Sequence, residues 1–540
     1  PEKQNTNASS LDDDEEFFDS VESDHASNRE AHPSGEKSQA STPGNDVPQE
    51  HQDEEKKQDG KQKPEHTPEV TPGAKRLYAL PEYEPYNHLR DRLPVRNDER
   101  PSISLWSILK NNIGKDLTKI SFPVAFNEPT SMLQRMSEDL EFSECLDAAA
   151  LQSDSTRRIM FVAAFAMSNY SSTIGRIAKP FNPMLGETFE YVRPDRRYRY
   201  ISEQVSHHPP ISACFCESPG WEYMGCVDAK SKFLGRTFEI RPTGVAHAKL
   251  KIKPEWAPES KRSTLPHAAE NESLLMEHYS WNKVTTSVSG FITGSPTIDH
   301  YGDMTVVNHV TGDVCKLTFK PRGWRSTNAF EIRGEVLDAH GNKVWLITGR
   351  WNSQLIAKRS SGGDSSDLNP DEKDVCTNPT DSSVSESKYL LLWRNSPKVP
   401  MPFNLTPFAV TLNSRPEGLM EWLPPTDCRR RPDLTAFEHG KFDQADQLKV
   451  QLEELQRSKR RMREEGKLPP HKPRWFSKTT DPDTKEAFWK PHMSADEEGL
   501  ETMDYWIERS KIGTKHVQNQ DADWDTDHIF GDLEGKSDEK

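Results

Sequence analysis

Residues 203–210 read EQVSHHPP. His207 and His208 run directly into Pro209 and Pro210. Neighbouring side chains on a regular strand point to opposite faces. Pro209 keeps His208 out of the helical region, and neither proline can donate a ladder hydrogen bond. The stretch therefore reads as an extended segment breaking at a strand end, where both imidazoles can be aimed at one target.

Outward from this break, the middle of the chain has the same strand-and-turn texture. Leu250 and Ile252 alternate with lysines, Cys315, Leu317 and Phe319 with Lys316 and Thr318, and Phe330 and Ile332 with Glu331 and Arg333. Thr311-Gly312-Asp313 and Gly341-Asn342 punctuate these runs. Short half-buried strands joined by tight turns predict an antiparallel meander closed as a barrel. Two polar stretches, 254–275 and 359–387, read as surface insertions; the second, between GRWNSQLIAK and KYLLLWR, is expected to be disordered and to cap a hairpin. Helical patterns flank the strands. ISLWSILKNNIG at 103–114 is amphipathic, and Ser131 with Gln134 forms a capping box ahead of Leu133, Met136 and Leu140. Another helix is expected at 155–174, and Leu448, Leu452 and Leu455 make a stripe that runs up to Gly466. The class is mainly β with helices, α+β.

The chain has 540 residues and a formal net charge of −16, which argues against nucleic acid as the main partner while leaving local basic patches. It begins with Pro1, as a processed chain or a piece of a longer one would. Seven scattered cysteines suit reduced thiols better than a disulfide framework. The longest apolar run, 159–167, is about half of a membrane span. No signal peptide opens the chain, and the reading is a soluble, cytoplasmic protein. Residues 1–75 contain only six large apolar side chains, so burial cannot offset the entropy of ordering them, and disorder is expected. Residues 514–540 are acidic and expected to be loose.

Several readings of the histidine pair stand open on the residues alone. His207, His208, Cys214 and Cys216 could be imagined around zinc, yet adjacent histidines rarely share a metal and the A-C-F-C alternation puts both cysteines on one core-like face. A catalytic pair, with Glu203 orienting a histidine, lacks a nucleophile elbow, a phosphate-cradling glycine loop or a metal-binding H-E-x-x-H helix. Plain hydrogen-bonded histidines at a strand end are the bland alternative. The last is an anion site, with two imidazole N–H donors directed at one phosphate. It needs basic company. Lys179 lies in AKPFNPMLGE (178–187), where Pro180 and Pro183 stiffen a turn. Lys449, Glu453 and Arg457 follow at i, i+4, i+8, a line equally readable as a solvated helix face.

EQVSHHPP resembles the fingerprint of the oxysterol-binding protein family of lipid-transfer proteins. KPFNPMLGE (179–187), SLWSILKNNIGKDLTKISFPVAFNEP (104–129) and KPRWF (472–476) agree with it in order, and the resemblance runs from 77 to 491. It implies a large, incompletely closed antiparallel β-barrel around a lipid tunnel, with an N-terminal lid and a C-terminal helical subdomain. It implies transport without covalent chemistry: no enzyme, no cofactor, no metal. His207 and His208 would hold the phosphates of phosphatidylinositol 4-phosphate at the tunnel mouth, together with Lys179, the nearby Asn182, and Lys449, Glu453 and Arg457. Arg460 and Arg463 are expected to face solvent or membrane. The lid and mouth segment is placed at 76–103, with lid candidates from 86 to 104 including Leu93, the lipid-binding domain at 104–491, and an acidic C-terminal extension at 492–540.

The stretches 104–129 and 127–135 look most like the fungal-type sterol-handling branch, so ergosterol or cholesterol is the expected second lipid. Phosphatidylserine exchange, phosphoinositide-only binding and a lipid-sensing scaffold are the alternatives. In the tail, Glu16, Phe17, Phe18, Asp19 and Glu22 resemble the two-phenylalanines-in-an-acidic-tract motif that binds VAP-type receptors of the endoplasmic reticulum, Ser20 standing where the pattern prefers Ala. The resemblance thus implies a peripheral protein at endoplasmic-reticulum contact sites, touching membrane surfaces and not nucleic acid.

Overall fold

The computed structural model describes residues 80–101, 122–268, 271–290, 295–323, 326, 328–384, 386–517 and 529–531. The tail 1–75 with its motif at 16–22, and the helix expected at 103–114, lie outside the described residues. Antiparallel pairings run from Thr188–Arg193 through Tyr198–His207 and Pro210–Ser218 to Trp221–Val227. The path then passes to Val245–Ile252, Asn271–Asn282, Thr297–Asn308 and Val314–Phe319. It continues through Glu331–Leu337, Lys343–Arg350, Gln354–Arg359 and Tyr389–Arg394. This is the expected meander, as one large sheet that is not fully closed.

Alternation explains the strands. Cys315, Leu317 and Phe319 are buried while Lys316 and Thr318 are exposed. Phe330, expected in a strand, stands in the turn before Glu331–Leu337 with φ +68° and meets Trp351 edge-on, ring centroids 4.8 Å apart. The apolar run at 159–167 lies in the helix Ser155–Ser168, buried from Thr156 to its end. Asp154 caps it by accepting from the Thr156 amide. A helix apolar on every side must be enclosed, and this one packs against Thr297–Asn308, Val314–Phe319, Glu331–Leu337 and Tyr389–Arg394. Among the described residues, no helix is long and apolar enough to cross a membrane. The capping box at Ser131 and Gln134 is formed, and Leu133, Met136 and Leu140 are buried.

Two segments differ from expectation. The described residues of 359–387 do sit between paired strands, Gln354–Arg359 and Tyr389–Arg394, but they are anchored and not disordered. Arg333 donates to the Leu368 carbonyl (2.7 Å), Arg350 to Asp371 (3.0 Å), and Arg157 to the carbonyls of Pro379 and Asp381 (2.9 Å each). Order here comes from arginines elsewhere in the chain, which a polar composition conceals. The stretch after 492, read as an acidic extension, contains the strands Met493–Ala495 and Glu501–Met503 and the helix Asp504–Val517. Its Met503, Tyr505, Trp506 and Ile512 are buried in the main core. Further on, Ile529 and Phe530 pack with Met184 and Leu452. Exposed acids on the turn at 496–499 disguise this apolar set.

One buried carboxylate ties three parts of the domain together. Glu190, on Thr188–Arg193, accepts from Tyr86 (2.8 Å), Tyr505 (2.6 Å) and Arg509 (2.8 Å). Burial alone pushes its carboxyl up, but Arg509 and Arg429 hold it below the usual range.

Candidate functional site

EQVSHHPP forms a hairpin end. Tyr198–His207 pairs with Pro210–Ser218, His207 standing opposite Pro210, and the turn falls on His208 and Pro209. Leaving the regular pleat lets neighbouring rings approach: the two imidazoles meet edge to face, centroids 4.8 Å apart at 76°. The His208–Pro209 peptide is cis.

The helix Phe442–Glu464 lies beside this turn. Leu448 and Leu452 bury its apolar stripe, Leu455 is half-buried, and Gly466 at φ +70° closes the helix, where the Gly466 amide bonds the Arg463 carbonyl (3.0 Å). From its flank, the Gln456 amide nitrogen reaches His207 Nε2 at 2.5 Å, while Gln456 Oε1 accepts from the Leu185 amide at 2.8 Å. As the amide NH₂ can only donate, His207 Nε2 accepts and Nδ1 carries the hydrogen. Burial, then the neighbouring His208, pushes His207 down to about 4, with the Pro183 carbonyl acting the other way.

Seven residues earlier on the same helix, Lys449 bonds Glu453 at 2.6 Å. Arg457 stands 4.0 Å from Glu453 and 3.7 Å from Glu454. Opposite them is Lys179, on the short strand Lys179–Phe181, which pairs in parallel with Asn127–Ser131. Burial and the repulsion of Lys449 bring Lys179 down to about 8, Glu453 opposing. The structure therefore brings His207 to the helix at Gln456, with the exposed His208 against its ring, and Lys179 to the helix at Lys449, about 10 Å apart along the axis. Asn182 is exposed, and its carbonyl accepts from Arg431 at 2.8 Å.

Residues not anticipated hold this arrangement. Arg431 also binds Glu187 (3.0 Å) and Asp433 (2.8 Å) and lies over the Phe181 ring. Glu187 accepts from the Met184 amide (2.8 Å), closing the turn of KPFNPMLGE, and burial pushes its carboxyl up to about 7. The Gly186 amide bonds the Gln204 carbonyl (3.0 Å), so the lysine turn and the histidine strand are direct neighbours. Glu203 does not orient a histidine: its carboxylate accepts from the backbone amides of Arg474 (2.8 Å) and Trp475 (2.9 Å), joining EQVSHHPP to KPRWF. Cys214 and Cys216 are buried in the main core. Arg460, expected to face outward, pairs with Glu464 but stands close enough to depress His207. In the lid segment, Leu93 is buried and Arg90 donates to the Val410 carbonyl at 2.7 Å. Gln456 had a legible signal, since i+7 from Lys449 repeats the same helix face; Arg431 had none.

A family model described as oxysterol-binding protein matches residues 104–505. The chain belongs to the oxysterol-binding protein family. The Saccharomyces cerevisiae family member named oxysterol-binding protein homolog 2 is 46% identical over 421 residues, 78% of this chain, and the chain spans only 30% of that relative's length. The crystal structure of the Osh1 ORD domain in complex with cholesterol superposes with a TM-score of 0.68 at 41% identity, covering 83% of this chain and 98% of that one. That of the Osh3 ORD in complex with PI(4)P, from Saccharomyces cerevisiae, gives 0.60 at 28% identity over 79% of this chain and 98% of that one. The oxysterol-binding fold thus accounts for the incomplete barrel and for the helices that follow it.

Proposed function

We propose that this chain exchanges a sterol, ergosterol or cholesterol, for phosphatidylinositol 4-phosphate between the endoplasmic reticulum and a second membrane. The observation that carries the reading is the approach of Lys179 to Lys449 on the helix that also holds His207. Two lysines kept together beside one shared carboxylate are unfavourable until an anion joins them. Imidazole N–H groups add directional bonds to phosphate oxygens. In this reading His207, His208, Lys179, Lys449 and Arg457 take the headgroup phosphates, Glu453 aligns its two cationic neighbours, and Asn182 lies beside them. Relatives solved with a sterol and with the phosphoinositide support both cargoes.

Each CH₂ left in water costs roughly 0.8 kcal/mol, so two bare acyl chains would cost on the order of 25 kcal/mol. A carrier must cover them, and the segment 86–101 with Leu93 is the lid in this proposal. The tail motif of Glu16, Phe17, Phe18, Asp19 and Glu22 supplies attachment to a VAP-type receptor.

The test is extraction from liposomes by the His207→Ala/His208→Ala double variant. Losing donors to a charged group costs roughly 1.5–3 kcal/mol each, so phosphoinositide uptake should fall at least a hundredfold while sterol uptake persists. Equal loss of both cargoes in a folded variant would remove the headgroup assignment.

A further inference from the structure

A second cluster of chemistry-bearing side chains lies on the sheet and plays no part in the phosphate site. In the antiparallel pair Val245–Ile252 and Asn271–Asn282, His247 stands opposite Ser280 and His278 opposite Lys249. The two histidines are therefore diagonal neighbours on one face. His247 is 2% exposed and His278 8%. Their rings stack at 16°, with His247 Nδ1 3.0 Å from His278 Nε2. The turn between Phe476–Thr480 and Ala487–Pro491 brings Asp481 over them, itself 6% exposed. One donor atom from each of His247, His278 and Asp481 lies within 4.8 Å of the others.

The hydrogen bonds around this group fix its tautomers. Asp483 Oδ2 is 2.6 Å from His278 Nδ1, and a carboxylate only accepts, so Nδ1 carries the hydrogen and Nε2 presents a lone pair. His247 Nδ1 must then be the donor between the rings. That leaves His247 Nε2 bare and buried, with no hydrogen-bond partner among the described residues. A carboxylate holding one nitrogen of an imidazole whose other nitrogen faces further donors is the arrangement that orients histidines on metal ions.

We propose that His247, His278 and Asp481 form a binding site for a zinc-type divalent transition-metal ion, with Asp483 orienting His278. Two nitrogens and one carboxylate oxygen suit zinc, with water as the fourth ligand. The 3.0 Å between the nitrogens is near the ~3.3 Å that separates ligands of a tetrahedral ion at bonds of about 2.0 Å. On binding, the hydrogen of His247 Nδ1 passes to Nε2, both imidazoles ligate as neutral groups, and no electron changes hands. The ion would fasten the 481–486 turn, which follows KPRWF, to the sheet. His309 stacks on His278 with ring centroids 4.7 Å apart but bonds Ser280 Oγ at 2.7 Å, and it stands outside the ligand set.

The experiment titrates the full chain, stripped by chelator, with Co²⁺ and then Zn²⁺. One equivalent of Co²⁺ should give tetrahedral visible bands without a thiolate charge-transfer band, and Zn²⁺ should abolish them and raise the melting temperature. Asp483→Asn should weaken binding about 10–100-fold. His247→Gln, His278→Gln and Asp481→Asn should each lose the bands, while His309→Gln keeps them. Near-UV circular dichroism reports whether each variant is folded, and Asp481→Asn, on a turn and not a strand, decides if a histidine variant unfolds. No band up to about 100 µM Co²⁺, a thiolate band placing the ion on cysteines, or bands retained in Asp481→Asn would each overturn the proposal.

Discussion

Lys179 is a lysine held at about 8, first by burial and then by Lys449. Against an ordinary lysine near 10.5 this costs roughly 2 kcal/mol at neutral pH once partial exposure is allowed for. Lys179→Met keeps the apolar stem and removes the charge, so it should melt a few degrees higher while losing phosphoinositide extraction. The folded pKa lies below the unfolded one, so the parent protein gains stability as pH rises from about 8 toward 10.5, a gain the variant lacks. Anion binding runs the other way: affinity should fall between pH 7 and 9 as the lysine discharges, and Lys179→Arg should flatten that profile. Unchanged melting and a flat parental profile would take Lys179 out of the anion site. The histidine pair, Lys179 and the Lys449–Arg457 line stand out in the sequence as short local patterns, and their part in anion binding is the proposal made above. Arg431 and the true partners of Glu203 do not stand out in this way, because the bond from Arg431 to the Asn182 carbonyl and that from the Arg474 amide to Glu203 each span more than 240 residues.

The helix Phe442–Glu464 presents its cations to different neighbours. Lys449 faces Lys179 and Arg457 continues that line, whereas Arg460 reaches toward His207. Arg461 is exposed. Charge reversal at Lys449 or Arg457 should weaken phosphoinositide binding more than tenfold, losses expected for bonds to charged groups. Arg460→Glu should cost less, and Arg461→Glu little. Similar effects from all four, read by liposome extraction, would mean a diffuse basic surface. At this scale, strands with one buried face were legible, because period-two alternation is set by burial itself. The ordered insertion at 359–387 and the helix Asp504–Val517 were not. Their partners lie on other elements; the insertion is polar in composition, and the apolar residues of the helix follow an acidic turn.

Across the whole molecule, location and lipid chemistry should separate. Phe17→Ala/Phe18→Ala should leave exchange between liposomes unchanged and abolish binding to a VAP-type domain, because in the proposed tether the aromatic pair would supply apolar burial and the acidic run only encounter. Loss of binding by neutralising Asp12, Asp13 and Asp14 alone would instead make charge the determinant. The carboxylate of Glu190 has a consequence for how such a domain can be cut and inherited. It is bonded by Tyr86 ahead of the sheet and by Tyr505 and Arg509 behind it. A chain ended at 505, where the family match stops, would keep the buried charge and lose the Arg509 guanidinium that bonds its carboxylate, leaving the more distant influence of Arg429. Removing one partner of a buried pair costs roughly 3–5 kcal/mol, so that chain should melt well below one ended at 517. For the same reason, a chimera whose incoming first or last segment lacks Tyr86, or Tyr505 and Arg509, would strand Glu190, and crossovers that survive should keep a bonding set at both ends.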